Sequence, residues 1–282
     1  MALVCCSKGD KGSRTQSAQS HLSKNVGRIS PGTANSNNPY DYIGQMHDNA
    51  IVWITNNSLI TSANYSSNWN YYNGQFLEQN QFDSTGLAAF AQSSIYTSLV
   101  GGMTSGQQIS PSQESNLLLA NNAISQQESK YLNQICAAVD TNLMSPNTDS
   151  SVALICNNII SIENDIQQNV KDTLALKTLL AAASVARYSV SYWLNQFNNP
   201  NSTTWFPNTN SSNPTPSYAT VGGAATTDCV AAAGASVTWG IYVAAAGTGP
   251  VGWGATVVSA GVGASVIYGL TALAKWAGFS GL

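Results

Sequence analysis

The chain has 282 residues, 43% of them hydrophobic and only 8% charged, with a net charge of −3. That length is ample for a buried core, but the charged fraction is about a third of the roughly 25% usual in soluble domains. Five cations against one acid give residues 1–30 a balance of +4 and the rest −7, so no basic patch exists beyond that tail, which argues against nucleic acid as a partner.

Residues 1–38 are Ser-, Gly-, Asn- and Gln-rich with almost no apolar pattern, and read as a flexible tether or export-signal remnant. Within them, Met1-Ala2-Leu3-Val4-Cys5-Cys6, followed by Ser7-Lys8-Gly9-Asp10, resembles the end of a bacterial lipoprotein signal peptide. That resemblance implies acylation at Cys6 and a surface or secreted location, outer-membrane lipoproteins included.

The helical body is expected over 39–200. Asn38 suits an N-cap, Pro39 the first helical position, and Asp41 a capping-box place, with Ile43, His47, Ala50, Ile51 and Ile54 following at helical spacing. His47 on this stripe is either a core histidine with one hydrogen-bonded nitrogen or an acid–base or ligand group. Residues 55–83 intersperse Tyr65, Trp69, Tyr71, Tyr72, Phe76 and Phe82 with Asn, Ser and Gln, reading as a loop packed by its rings and as a contact surface. Ser84 opens a short helix that ends at Gly101-Gly102.

A long helix is expected from Ser110-Pro111 to Leu143, with one stripe running through Leu117, Ile124, Tyr131, Ile135 and Val139. Pro146 separates it from a second helix starting near Asp149, striped by Val152, Ile155, Ile159, Ile162, Ile166 and Val170. The short turn makes the two an antiparallel pair. Cys136 and Cys156 lie ten residues either side of Pro146 and so at one height. They form a disulfide worth about 3 kcal/mol if their faces agree, and two free thiols otherwise. The pattern restarts near Lys171-Asp172 as an amphipathic helix through Leu176, Leu180, Ala183, Val190 and Trp193. Arg187 falls on its apolar stripe and needs a partner, for which Asp41, Glu163 and Asp165 are the candidates; an anion-binding role is the alternative.

A Pro/Asn/Ser linker over 201–217 leads to the apolar region 218–282, where Cys229–Ala274 contains no Asp, Glu, Lys, Arg or His. Gly249-Pro250 breaks this stretch into two arms. Small residues at every fourth position give each arm a close-packing face: Ala232, Ser236, Gly240 and Ala244, then Gly261, Ser265 and Gly269. Each arm approaches the about 20 residues that span a bilayer, and Lys275 with Trp276 suits an interfacial anchor. A small-residue helical hairpin inside the protein's own core, a membrane-active hairpin, and a β-rich Gly-repeat structure remain the three readings.

No P-loop, dinucleotide fingerprint, G-x-S-x-G or H-E-x-x-H motif occurs, and no Cys/His spacing fits a zinc site. Only His47 lies outside the tether. The expectation is a non-enzymatic protein without cofactor or metal, all-α, an antiparallel helical bundle with a C-terminal small-residue hairpin, meeting a lipid membrane or a cell-surface partner. The motif Asn38-Pro39-Tyr40-Asp41-Tyr42-Ile43-Gly44-Gln45-Met46-His47-Asp48 resembles the NPYDxxGxxHN opening of a family of exported, lipoprotein-like Bacteroidota proteins. The stretch Ala183–Ser189 with Trp193 and the Gly/Ala-rich end is similar to the same family. The resemblance implies an exported helical protein with a bacteriocin-like C-terminal region, singles out Asp41, His47 and Arg187 as a polar cluster, and supplies no catalytic residue.

Overall fold

The computed structural model describes residues 33–57, 111–142, 149–198, 224–234 and 236. These residues are all-α, with α1 (Asp41–Asn57), α2 (Pro111–Ala120), α3 (Gln126–Asn142), α4 (Asp149–Asn169), α5 (Thr173–Asn198) and a helical segment α6 (224–234). No strand occurs among the described residues.

The fold is built around α5. Every residue from Thr178 to Leu194 is buried, on all sides of the helix. A helix without a wet face must be covered all round. Helices α1, α3 and α4 pack against it, and just past α6 Ser236 Oγ lies 2.8 Å from Thr178 Oγ1. The amphipathic reading of this helix is therefore corrected: Ala181, Ala182, Ser184, Ala186 and Ser189 are small enough for neighbours to close over the faces they occupy. The approach is close at Gly44 of α1. Its N–H donates to Ser184 Oγ at 3.1 Å, and that hydroxyl donates to the Asp41 carbonyl at 2.8 Å.

Helix α4 keeps the amphipathic pattern its sequence predicts. Val152, Ile155, Ile159 and Ile166 are buried while Asn157, Ser161, Asn164 and Gln168 face outward. The connection to α5 is three residues long. Lys171 Nζ donates to the Gln168 carbonyl at 2.6 Å, and the Asp172 carboxylate accepts the Ala175 N–H at 2.8 Å as an N-cap. So short a link returns α5 along α4.

The single helix expected from Pro111 to Leu143 is two helices. Asn122 adopts a positive φ of 52°. The Ala123 N–H reaches the Leu118 carbonyl and the Asn122 N–H reaches Leu119, both at 2.9 Å, which is the Schellman ending with Asn in the left-handed position. Ser125 then restarts the helix through a capping box: Glu128 N–H donates to Ser125 Oγ at 3.2 Å, and Ser125 N–H donates to the Glu128 carboxylate at 2.7 Å. The apolar stripe runs on across the break because Leu118 and Ile124 are buried on both sides of it.

Cys136 and Cys156 are both buried and not joined by a disulfide, the second of the two outcomes that their spacing allows. Helices α3 and α4 do pack together, but Cys156 Sγ turns toward α5 and donates to the Arg187 carbonyl at 3.9 Å. The expected tether over 1–38 does not hold at its far end. Thr33, Asn35 and Asn38 are buried in the body. Cys6, the aromatic stretch 65–82, the short helix from Ser84, Gly240, Ala244, Gly261, Ser265, Gly269, Lys275 and Trp276 lie outside the described residues.

A methyl group added at Gly44 would sit 2.5 Å from the Ser184 carbonyl oxygen and 2.5 Å from the Tyr188 ring. Gly→Ala within a helix ordinarily stabilises by about 0.5–1 kcal/mol. Here we expect the opposite sign, a loss of about 1–3 kcal/mol from forcing two backbones apart. Urea unfolding of Gly44→Ala checks this; an unchanged or raised midpoint would refute the close crossing of α1 and α5.

Candidate functional site: a buried polar core around Arg187 and His47

Arg187 sits in the middle of α5 with 0% exposure. A guanidinium carries its charge at any accessible pH and has five donors to satisfy. Three elements answer it. Its Nε and Nη2 donate to Glu163 Oε1 of α4 at 3.2 and 3.0 Å. Nη2 also donates to Asp41 at the start of α1, and Nη1 to the carbonyl of Thr33. The guanidinium lies 5.8 Å from the centre of the Tyr188 ring, whose hydroxyl donates to the other Asp41 oxygen at 3.1 Å.

The carboxylates are held in turn by amides from the segment leading into α1. Asn35 Nδ2 donates to Glu163 Oε2 at 2.6 Å, and Asn38 Nδ2 donates to Glu163 Oε1 and the Leu180 carbonyl, both at 2.8 Å. The oxygens of the same two amides hold the backbone: Asn35 accepts the Asn37 N–H at 3.1 Å, and Asn38 accepts the Tyr40 N–H at 2.8 Å. Asn38 is thus the cap its sequence position suggests, while Asp41 serves Arg187 and Tyr188. Burial opposes the Arg187 charge, but Glu163 and Asp41 outweigh it and hold its pKa above the ordinary value. Burial pushes the Glu163 pKa up, against Arg187 and the two amides, which favour its ionised form.

His47 stands two turns further along α1, also with 0% exposure. Its Nδ1 is 3.2 Å from Asp48 Oδ1 and its Nε2 is 3.7 Å from Asp228 Oδ2. The first is a hydrogen bond and the second an ion-pair separation. Asp228, on α6, also accepts from Ser189 Oγ and from Trp193 Nε1 at 3.2 Å, both on α5. Burial pushes Asp48 up to about 6; His47 pulls it down and the neighbouring Asp228 charge pushes it further up.

Of the three residues expected to form a polar cluster, Asp41 and Arg187 meet directly and His47 lies in the adjoining set. Two of the three partners considered for Arg187 are its partners. Asp165 instead accepts from Tyr131 at 2.7 Å. Ala232 and Ser236, from the small-residue face of the first arm, are both buried against the body. Asp228 escaped the sequence reading although a signal exists: it is the last acid of the chain, with none between it and Asp172. Asn35 and Thr33 looked like tether residues, and nothing in their spacing marks them.

Chemically the set is an interior lock. Arg187, Glu163, His47, Ser189 and Asp228 have 0% exposure, so a substrate meets none of them in this conformation. Among the described residues no group of His, Cys, Asp and Glu is arranged to hold a metal ion, and no helix is long and apolar enough to cross a membrane. No protein family, curated protein or solved structure matches this chain.

Removing the Arg187 charge leaves Asp41 and Glu163 facing each other without it. Arg187→Met is expected to cost about 3–5 kcal/mol. Arg187→Lys should recover little, because one ammonium cannot serve three separated acceptors. Guanidinium or thermal unfolding of both variants reads this out, and near-native stability of the lysine variant would contradict it.

Asp48 gives a pH dependence of definite sign. Its folded pKa of about 6 exceeds the ordinary 3.8, so its contribution to stability is fully present below about 3.8 and fades as pH rises through about 6. From about pH 8 to about pH 5 the wild type should gain about 1.4 kcal/mol that Asp48→Asn does not. Parallel pH profiles of the two chains would contradict this.

Proposed function

We propose that this chain is a non-enzymatic, exported binding or structural module whose apolar C-terminal stretch is seated in its own helical body by its first turns. The observation that carries the reading is the burial of every residue of 224–234, together with Ser236. Asp228 supports it, tying that segment to α1 and α5 through His47, Ser189 and Trp193. Among the described residues, Asp41, His47, Asp48, Glu163, Arg187 and Asp228 are engaged with one another inside the core. The low charge, the amide-rich surface and the resemblance of the 38–48 motif support an exported setting and a cell-surface partner.

A second reading is favoured by the 46 charge-free residues from Cys229 to Ala274. Here the body holds the base of the stretch while the remainder contacts lipid, in the manner of a bacteriocin-like or pore-forming effector, with Gly240, Ala244, Gly261, Ser265 and Gly269 on the packing faces and Trp276 with Lys275 at the interface. The seat at 224–236 is compatible with either arrangement.

Flotation with dye-loaded vesicles separates the two. The full chain is compared with one ending at Gly247, which keeps the seated segment. We expect the full chain to remain in the dense fraction and the dye to be retained. Co-flotation and leakage that vanish on shortening would replace the first reading with the second.

A further inference from the structure

We propose that residues 33–37 form a strap that opens on a hinge at Asn38 while α1 stays seated, wetting one side of the Arg187 set without dismantling it.

The strap is non-helical, and of its residues only Thr33 and Asn35 are buried; Ala34, its one apolar residue, is exposed together with Ser36 and Asn37. Little apolar surface therefore leaves water when it docks. Its bonds to the body include the Thr33 carbonyl accepting from Arg187 Nη1, Asn35 Nδ2 donating to Glu163 Oε2 at 2.6 Å, and the Asn37 carbonyl accepting from Gln167 Nε2 at 3.3 Å. Water can take over each of these bonds, so their net hold is small beside that of the packed core. The composition that reads as a solvated tether is compatible with both the docked and the open state.

Helix α1 is held differently. Ile43, Met46, Ala50 and Ile51 are buried in the core. Asp41 meets Arg187 and Tyr188, and Ser184 bonds both the Asp41 carbonyl and the Gly44 N–H. At the hinge, Asn38 Nδ2 stays on Glu163 Oε1 and the Leu180 carbonyl while its oxygen keeps the Tyr40 N–H. With the strap away, Arg187 exchanges one carbonyl for water but retains Glu163 and Asp41. Glu163 exchanges one amide for water and retains the other. Neither charge is left unmatched.

Cys156 reports the opening. Its buried thiol donates to the Arg187 carbonyl at 3.9 Å and takes a side-chain hydrogen bond from Thr33. Burial pushes the thiol up to about 11, against the pull of the Arg187 charge, so the closed protein shields an unreactive sulfur. Departure of the strap uncovers the side on which Thr33 lies and lessens the burial that keeps the thiol protonated.

Treating the full chain with N-ethylmaleimide at urea concentrations below the unfolding transition tests this, with peptide mass spectrometry reading each cysteine separately. The thiolate adds to the maleimide double bond, whose other carbon takes a proton from water. Cys156 should be modified at a rate that barely changes with urea, because opening so short a segment exposes little surface. Asn35→Ala, which lacks one bond to a charged group, should speed the reaction about tenfold with the same shallow slope. Should that variant fail to fold, Gln167→Ala at its exposed position decides, with an expected gain of about threefold. A rate that climbs with urea as steeply as global unfolding, or no modification of Cys156 before unfolding, overturns the strap. A shallow slope with a rate that the variants leave unchanged also overturns it, since the opening then lies elsewhere.

Discussion

One buried guanidinium constrains this fold more than any other group. Arg187 lies at the centre of a helix that is covered on all sides, where an unmatched charge would cost more than most single contacts contribute. Matching it requires Glu163 from α4, Asp41 from α1 and a carbonyl from the segment before α1 to arrive at one place. Each then needs its own neighbours: Glu163 takes two asparagine amides, and Asp41 takes a tyrosine hydroxyl. The charge does not so much stabilise the core as forbid alternatives to it, since any other seating of α1 or α4 on α5 leaves carboxylates or the cation alone. The crossing at Gly44 and Ser184 fixes the distance at which this matching occurs.

The sequence is legible where one physical signal dominates a segment. Helix α4 alternates isoleucines and amides at helical spacing, and its buried and exposed residues follow that spacing. The start of α1 is marked by Asn38-Pro39, and the carboxylates serving Arg187 could be narrowed to three because charged residues are so scarce. Where two signals compete, reading fails. The Schellman ending at Asn122 and the box Ser125-Gln126-Gln127-Glu128 were both written in the chain, but the apolar stripe continues in phase across them and masks the break. Cys136 and Cys156 are at matching distances from a turn, yet distance along a helix does not specify azimuth, and Cys156 faces the third helix.

Polar residues inside the core were the least legible part. Thr33, Asn35 and Asn38 have the composition of a solvated tether and the burial of a core. Only the presence of Glu163 and Arg187 across the fold distinguishes the two, and that pairing spans more than 120 positions of sequence. The same applies to α5. Its stripe reads as an amphipathic helix, whereas small side chains such as Ser184 let α1 cross closely and leave no wet face. Hydropathy reports how readily a residue leaves water; it does not report how closely a neighbour can come.

The double duty of Asn38 sets where the body begins. Its oxygen starts α1 while its nitrogen joins Glu163 and the Leu180 carbonyl, and Thr33 closes the guanidinium a few residues earlier. Proteolysis from the front of the chain meets a sharp boundary here. Cleavage ahead of Thr33 removes none of these bonds. Cleavage a few residues later takes the lid from a buried ion pair and the first cap from a helix, so a harmless cut and a destructive one are separated by less than ten residues of chain.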